Sequence, residues 1–143
     1  FGRRLATISL FTDKPRPFRD EVATKVAAWG FSSIFDVTYS SVAVDIVPLG
    51  YDKLRGLRAA AAKGPLVAVA DSVNDIPLLD GADYSFAPAN LANEAMRELQ
   101  AKGRQIRQLA KFDSLTKEFL YVSPSAEARG VIEILRKLKS IVQ

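Results

Sequence analysis

Oxygen-bearing side chains follow a short apolar run in the middle of the sequence. The run, residues 66–70, has the composition of a strand that is covered on both faces. Because ligands of open α/β sheets bind beyond the carboxyl ends of the strands, we expect Asp71, Asn74 and Asp75 to share one loop there. Carboxylate and amide oxygens on a tight loop suit Mg²⁺, which takes one or two carboxylates and keeps several waters. The pattern therefore predicts a site for a hard metal ion.

A helix cap is the structural explanation of the same residues. With Asn74 near the N-cap and Pro77 in the first turn, the loop is expected to open a helix. Asp71 and Asp75 could then do no more than cap that helix. Taken alone, a short acidic motif favours the helix-cap explanation, because short motifs often match by chance.

A lysine upstream adds a positive charge to this region. Residues 52–63 are expected to form a helix that leads into the strand, with its first turn facing the same edge as Asp71. Lys53 is then within reach of the loop, although a lone lysine is more often a solvated surface residue. A helix N-terminus, a lysine and a metal ion at one place can hold a phosphate group. The apolar positions that support this helix are Leu54, Leu57 and Ala61.

The order and spacing of these residues resemble the haloacid dehalogenase (HAD) superfamily of phosphatases, in the branch with a large α/β cap inserted late in the core. The matching segments are 44–53, 70–75 and 81–83, together with the region around Asn90. The resemblance covers most of residues 35–100 and is most specific between the lysine and the aspartates.

The resemblance implies an α/β fold, with part of a HAD-like Rossmannoid core and the end of an α/β cap subdomain. Residues 1–48 are expected to be the C-terminal part of the cap, and residues 49–143 the C-terminal half of the core. The short linker Pro48-Leu49-Gly50 is the expected hinge between them.

The resemblance also implies roles for the site residues. Lys53 would steady the nucleophile and the transferring phosphoryl group. Asp71 would bind Mg²⁺ directly, and Asp75 would support both the waters of the metal and the lysine, which makes it a catalytic as well as a metal-site residue. The residues expected to support the loop and the phosphate are Ser72, Asn74 and Asn90.

The sequence departs from the family pattern in two ways. Ala70 stands where the family usually has glycine, and its methyl group limits close approach. More importantly, no Asp-x-Asp motif follows an apolar strand, although the family's nucleophile lies in that motif. We therefore expect the nucleophile to lie in an N-terminal segment outside these 143 residues. The strand at 66–70 would then have an open edge, and the expected partner is that missing segment or another copy of the chain.

The remaining elements follow from apolar periodicity. Before residue 48, a strand at 4–12, a helix ended by Gly30 and a hairpin of runs 35–39 and 42–47 are expected. The helix stripe is Phe18, Val22, Val26 and Trp29, with Trp29 expected in the core rather than on a substrate.

After residue 48, helix and strand alternate as in α/β proteins. A strand is expected near 84–87, a helix at about 91–101 and a last strand at 118–122, while residues 103–115 fit no clear pattern. The expected buried stripe of the closing helix is Val131, Ile132, Leu135, Leu138 and Ile141.

Composition narrows the chemistry. The chain has no cysteine and no histidine, which excludes disulfides, Ser-His-Asp and Cys-His machinery and zinc sites built from these residues. Lysine and carboxylate chemistry is what remains. The apolar runs are strand-sized and no signal peptide is present, so we expect no membrane partner and a cytoplasmic location.

The net charge of +4 raises the question of nucleic acid binding. Few aromatic residues stand among the basic ones, so no stacking platform is expected, and a solvated helix face is the preferred interpretation. We therefore predict no nucleic acid partner. The basic residues concerned are Lys102, Arg104, Arg107 and Lys111.

The function implied by the resemblance is Mg²⁺-dependent hydrolysis of a phosphomonoester, with a sugar phosphate or a similar small phosphorylated metabolite as substrate. The main alternative is a non-catalytic HAD-like fragment that binds or regulates, which the lack of an Asp-x-Asp motif favours. A receiver-like or flavodoxin-like domain is a further alternative, since acidic residues at strand ends also bind Mg²⁺ there.

Overall fold

The structure is a computed structural model that describes residues 7–60, 64–112 and 116–142, with side chains through residue 140. Contacts divide the chain into two compact units, the first ending at Asp52 and the second beginning at Lys53. Each unit has its own sheet and its own apolar core. In the described part of the chain, no helix has both the length and the apolar character needed to cross a membrane.

The first unit is a three-stranded antiparallel sheet with one helix on one face. Its elements are β1 (Ile8–Phe11), α1 (Pro15–Ala28), β2 (Phe35–Tyr39) and β3 (Ala43–Pro48). The strands pair in the order β1-β3-β2, and the hairpin predicted from the alternation of apolar residues is confirmed. The core pairs two helix valines with two sheet valines, Val22, Val26, Val37 and Val44.

The prediction that Trp29 packs in this core is wrong. Its side chain is 66% exposed, whereas Val22 and Val26 of the same stripe are buried. Helix α1 ends at Ala28, Trp29 is its C-cap residue, and the chain turns directly afterwards at Gly30, which has a φ of 77°. Trp29 therefore lies beyond the last helical residue of the stripe.

The second unit is a four-stranded parallel sheet with helices on both faces. Its elements are α2 (Lys53–Ala60), β4 (Val67–Val69), α3 (Ile76–Gly81), β5 (Tyr84–Ala87), α4 (Asn93–Ala101), β6 (Gln105–Gln108), β7 (Phe119–Val122) and α5 (Glu127–Val142). The strand order is β4-β5-β7-β6. Successive strand residues face opposite sides: Ala87 and Leu120 join one core cluster, and Phe86 and Tyr121 join the other. The sheet is therefore buried on both faces, as a parallel sheet requires.

Strand β6 lies in the segment that the sequence left unassigned. Ile106 is its single apolar residue, so the run has no alternation to recognise. β6 pairs with β7 alone among the described strands, and such an edge position does not demand an apolar sequence. At the other end of the order, β4 pairs with β5 alone among the described strands.

Two predicted helix stripes differ in the structure. In α5, Ile134 is completely buried, while Ile132 and Leu135 are 47% and 55% exposed. In α2, Leu54 packs against the core cluster that contains Ala87 and Leu120. The prediction that Leu57 also lies on the buried side is wrong, because its side chain is 41% exposed. Ala61 lies outside the described residues.

Gly130 lies one turn before Ile134 on α5, and its close contacts provide a stability test. A Cβ at Gly130 would overlap the Ser125 carbonyl oxygen and the Pro88 ring. We expect Gly130→Ala to lower the free energy of unfolding by about 1–3 kcal/mol, because atoms are added to a filled space. Gly56→Ala is the matched control, since open space surrounds Gly56 in helix α2.

In the control, alanine relieves the cost of glycine within a helix and should raise stability by about 0.5–1 kcal/mol. Urea denaturation of both variants measures the two changes. Equal effects at the two positions would show that the contact at Gly130 is not tight.

Candidate functional site

The loop after β4 leads directly into α3 at the carboxyl edge of the parallel sheet. One 3-10 turn, Val73–Asp75, connects them, and Pro77 lies in the first turn of the helix. The backbone N–H of Asp75 donates to the Ser72 carbonyl at 3.1 Å, which closes the loop. This edge is where open α/β sheets bind their ligands.

Helix α2 is placed beside this loop by contacts with α3. Leu54 lies against Gly81, where any Cβ would overlap the leucine side chain. Arg58 Nη2 donates to the Gly81 carbonyl at 2.8 Å. These two contacts hold the first turn of α2, and with it Lys53, next to the start of α3.

Lys53 and Asp75 form an ion pair, in which Lys53 Nζ donates to Asp75 Oδ1. The Asp75 side chain is 7% exposed, whereas that of Lys53 is 57% exposed. A nearly buried carboxylate requires a counter-charge, and Lys53 supplies it. In this pair, the Asp75 carboxylate is nearly buried and the Lys53 amine remains accessible to solvent, so the amine can still contact a ligand.

Asp71 is held from the other side, by the segment that follows β5. Asn90 Nδ2 donates to Asp71 Oδ2 at 2.6 Å, and the N–H of Ala92 donates to the Asp71 carbonyl at 2.9 Å. Because β4 and β5 are parallel neighbours, these bonds join the loops at the ends of two adjacent strands. A carboxylate has two oxygens that can each accept more than one hydrogen bond, so Asp71 still has lone pairs that could coordinate a cation.

Asn74 and Ser72 complete the loop. The Asn74 Oδ1 atom is buried and has no hydrogen-bond partner in the described structure. An unsatisfied buried acceptor costs about 1–3 kcal/mol, and a cation would satisfy it. Ser72 is half-buried and contributes its carbonyl to the loop. The oxygen donors of the loop therefore fit a hard metal ion such as Mg²⁺.

The helix-cap explanation of the two aspartates finds no support in these contacts. Asp75 occupies the N-cap position of α3 but makes no side-chain cap hydrogen bond. Its carboxylate contacts Lys53 instead, and the carboxylate of Asp71 contacts Asn90. Both acids are therefore committed to neighbours outside the helix that they precede.

The number of carboxylates limits the kind of metal site. Over residues 7–60, 64–112 and 116–140, no three His, Cys, Asp or Glu side chains converge as a metal-binding group. An all-protein cage of the kind that holds Ca²⁺ is thus not found in this part of the chain. One or two carboxylates with waters and substrate phosphate is the usual arrangement for Mg²⁺.

Three of the four basic residues that were expected on a solvated face are exposed, namely Lys102, Arg107 and Lys111, but Arg104 is buried. Arg104 is 9% exposed, and its guanidinium donates to three backbone carbonyls, those of Asp80, Ala82 and Lys117. The guanidinium carbon of Arg107 lies 3.5 Å from the centre of the Phe119 ring. Arg104 thus stabilises the fold by binding the C-terminal turn of α3.

Asp83 fixes the entry to β4. Its Oδ2 accepts from the N–H of Leu66 at 2.9 Å, and its Oδ1 pairs with Lys117. The hydrogen bond from Lys117, and then that from Leu66, holds the pKa of Asp83 below its ordinary value. The stabilisation from this lowered pKa is complete above the ordinary value of 3.8 and is lost as the pH falls through the folded-state pKa.

We therefore expect Asp83→Asn to be less stable than the wild type above about pH 4, with the difference shrinking at lower pH. Thermal melts between pH 2 and pH 7 measure this difference. Asp13→Asn, at an exposed position of the first unit, makes the same chemical change away from the contacts of Asp83 and is the control. A stability difference that is constant across this range would contradict the role of the carboxylate.

Comparison with known proteins shows a similarity of fold to a solved structure. No protein-family profile and no curated protein matches the chain. Among solved structures, it is similar to a crystal structure of a provisionally assigned HAD/COF-like hydrolase from Plasmodium vivax, with a TM-score of 0.58 and 21% sequence identity. The alignment covers 95% of this chain and 42% of that chain, so the chain spans less than half of that protein's length. The chain has a mixed α/β fold that is similar to the fold of this HAD/COF-like hydrolase.

Proposed function

We propose that this chain forms the metal- and phosphate-binding part of a Mg²⁺-dependent phosphomonoester hydrolase of the HAD type. The observation that carries the proposal is the ion pair of Lys53 with the nearly buried Asp75, in the same loop as Asp71. The name of the Plasmodium vivax protein supports a hydrolase by analogy of fold.

Four features of this chain would serve phosphoryl transfer. Asp71 and Asn74 would hold Mg²⁺, which supplies charge neutralisation at the phosphoryl oxygens when it is bound. Lys53 would offset the negative charge that otherwise repels an attacking carboxylate. Asp75 would keep the Lys53 amine oriented toward the site. The N-terminal end of α2 adds the positive end of a helix dipole on the same side.

The nucleophile belongs, in this proposal, to a segment outside the 143 residues. Its carboxylate attacks phosphorus, the substrate alkoxide leaves and takes a proton from a general acid, and water then hydrolyses the aspartyl phosphate. The edge of β4 that pairs with none of the described strands is where we propose that the strand carrying this nucleophile binds, or else a second copy of the chain. The substrate would be a sugar phosphate or a similar small phosphorylated metabolite.

The test is a phosphatase assay with p-nitrophenyl phosphate, with and without Mg²⁺. It compares this chain with a longer form of the protein that includes the encoded upstream residues. We expect turnover only in the longer form and only with Mg²⁺. Phosphate binding by the longer form without any turnover would overturn the hydrolase and favour the non-catalytic alternative.

A further inference from the structure

We propose that Asn90 is a positioning residue for Asp71, and that the first turn of α5 holds Asn90 in place. The inference rests on the proposed function, because the orientation of Asp71 matters for activity if this carboxylate binds a cation. It gives Asn90, which the resemblance places with the loop, a defined partner in Asp71, and it adds helix α5, which lies far from the Lys53 to Asp75 block in the sequence.

The Asn90 side chain uses both ends of its amide. Nδ2 donates to Asp71 Oδ2 at 2.6 Å, while Oδ1 accepts from the N–H of Glu127, the first residue of α5, at 2.7 Å. A carboxylate only accepts and a backbone N–H only donates, so the amide orientation is determined by its two partners. Asn90 therefore links the loop after β4 to the start of α5.

The start of α5 is itself braced, which makes it a suitable anchor. Ser123 Oγ and Ser125 Oγ donate to the two carboxylate oxygens of Glu133, at 2.5 Å and 2.7 Å. The N–H of Ala89 donates to the Ser125 carbonyl at 2.8 Å, one residue before Asn90. The segments after β5 and after β7 are thus bonded to each other beside Asn90.

This arrangement restricts a carboxylate that would otherwise rotate. Asp71 is half-buried and Asn90 is exposed, so neither side chain is confined by packing alone. The hydrogen bond from an anchored amide selects one rotamer of Asp71. When a residue that hydrogen-bonds a metal-binding carboxylate is removed, the metal affinity typically falls by about 10–100-fold.

The first test measures the rotamer of Asp71 without any metal, from three-bond NMR couplings to its β protons. We expect a single rotamer in the wild type and averaged couplings in Asn90→Ala. Asn90→Asp keeps an acceptor for the Glu127 N–H but replaces the donor by a second negative charge, so averaging is expected there too. Asn93→Ala, three residues away at an exposed position, should retain the wild-type couplings.

The second test measures the affinity of the chain for Mn²⁺, used as a paramagnetic probe for Mg²⁺, by electron paramagnetic resonance. We expect Asn90→Ala to weaken binding by ~10-fold or more, and Asn93→Ala to leave it unchanged. Unchanged couplings or unchanged affinity in Asn90→Ala would overturn the positioning role. If the wild type itself bound no Mn²⁺, the metal site of the proposed function would fail, while the couplings would still decide whether Asn90 orients Asp71.

Discussion

Replacing Asp71 by asparagine is expected to lower Mg²⁺-dependent turnover by ~10³-fold in the catalytically complete protein, without unfolding it. A neutral amide attracts a divalent cation much less than a carboxylate does, so less of the charge on the phosphoryl group is offset. The amide oxygen can still accept from Asn90 Nδ2, and the Ala92 N–H still meets the backbone carbonyl of residue 71. The fold of the loop should therefore survive.

The measurement is steady-state hydrolysis of p-nitrophenyl phosphate over a range of Mg²⁺ concentrations, together with a thermal melt of each protein. Asp13→Asn makes the same chemical change at an exposed position and should leave turnover unchanged. Retained turnover in Asp71→Asn would remove this residue from the metal site. Lost turnover with a large fall in melting temperature would instead indicate a structural role.

The parts of the fold that the sequence predicts well are those with local causes. Apolar and polar residues alternate in residues 35–39, which predicts a strand with one buried face, and this strand is β2. The apolar run before Asp71 predicts a strand buried on both faces, and it contains β4. Likewise, Lys53 was expected near the loop because a helix that leads into a parallel strand begins at the carboxyl edge of the sheet. In the structure, Lys53 forms an ion pair with Asp75, while Asp71 accepts a hydrogen bond from Asn90.

What the sequence does not predict depends on contacts between distant segments. Helix α5 has apolar residues on two faces, and the face that is buried carries Ile134 and, one turn earlier, Gly130, which lies close to Pro88. The carbonyl partners of Arg104 belong to loops that sequence periodicity does not bring together, so the residue looked like any surface arginine. The bond from Glu127 to Asn90 likewise has no local signal in the sequence.

Replacing Lys53 by methionine is expected to reduce both turnover and stability, and the two losses have separate causes. Turnover should fall by ~10²-fold or more, because the positive charge that faces the phosphoryl group is lost. Stability should fall by about 1–3 kcal/mol, because Asp75 remains nearly buried without its counter-charge. The loss should be smaller than for a fully buried pair, since the Lys53 side chain is 57% exposed.

The double variant Lys53→Met with Asp75→Asn distinguishes these causes. It removes both charges, so the desolvated carboxylate is gone and much of the stability should return, while turnover stays low because the amine is still absent. Lys139→Met, at an exposed position on α5, controls for the loss of a positive charge and should change neither quantity. Urea denaturation and steady-state kinetics on the four proteins give both measurements. If Lys53→Met lowered stability alone and left turnover intact, Lys53 would be a structural partner of Asp75, and the phosphate site would have to lie elsewhere.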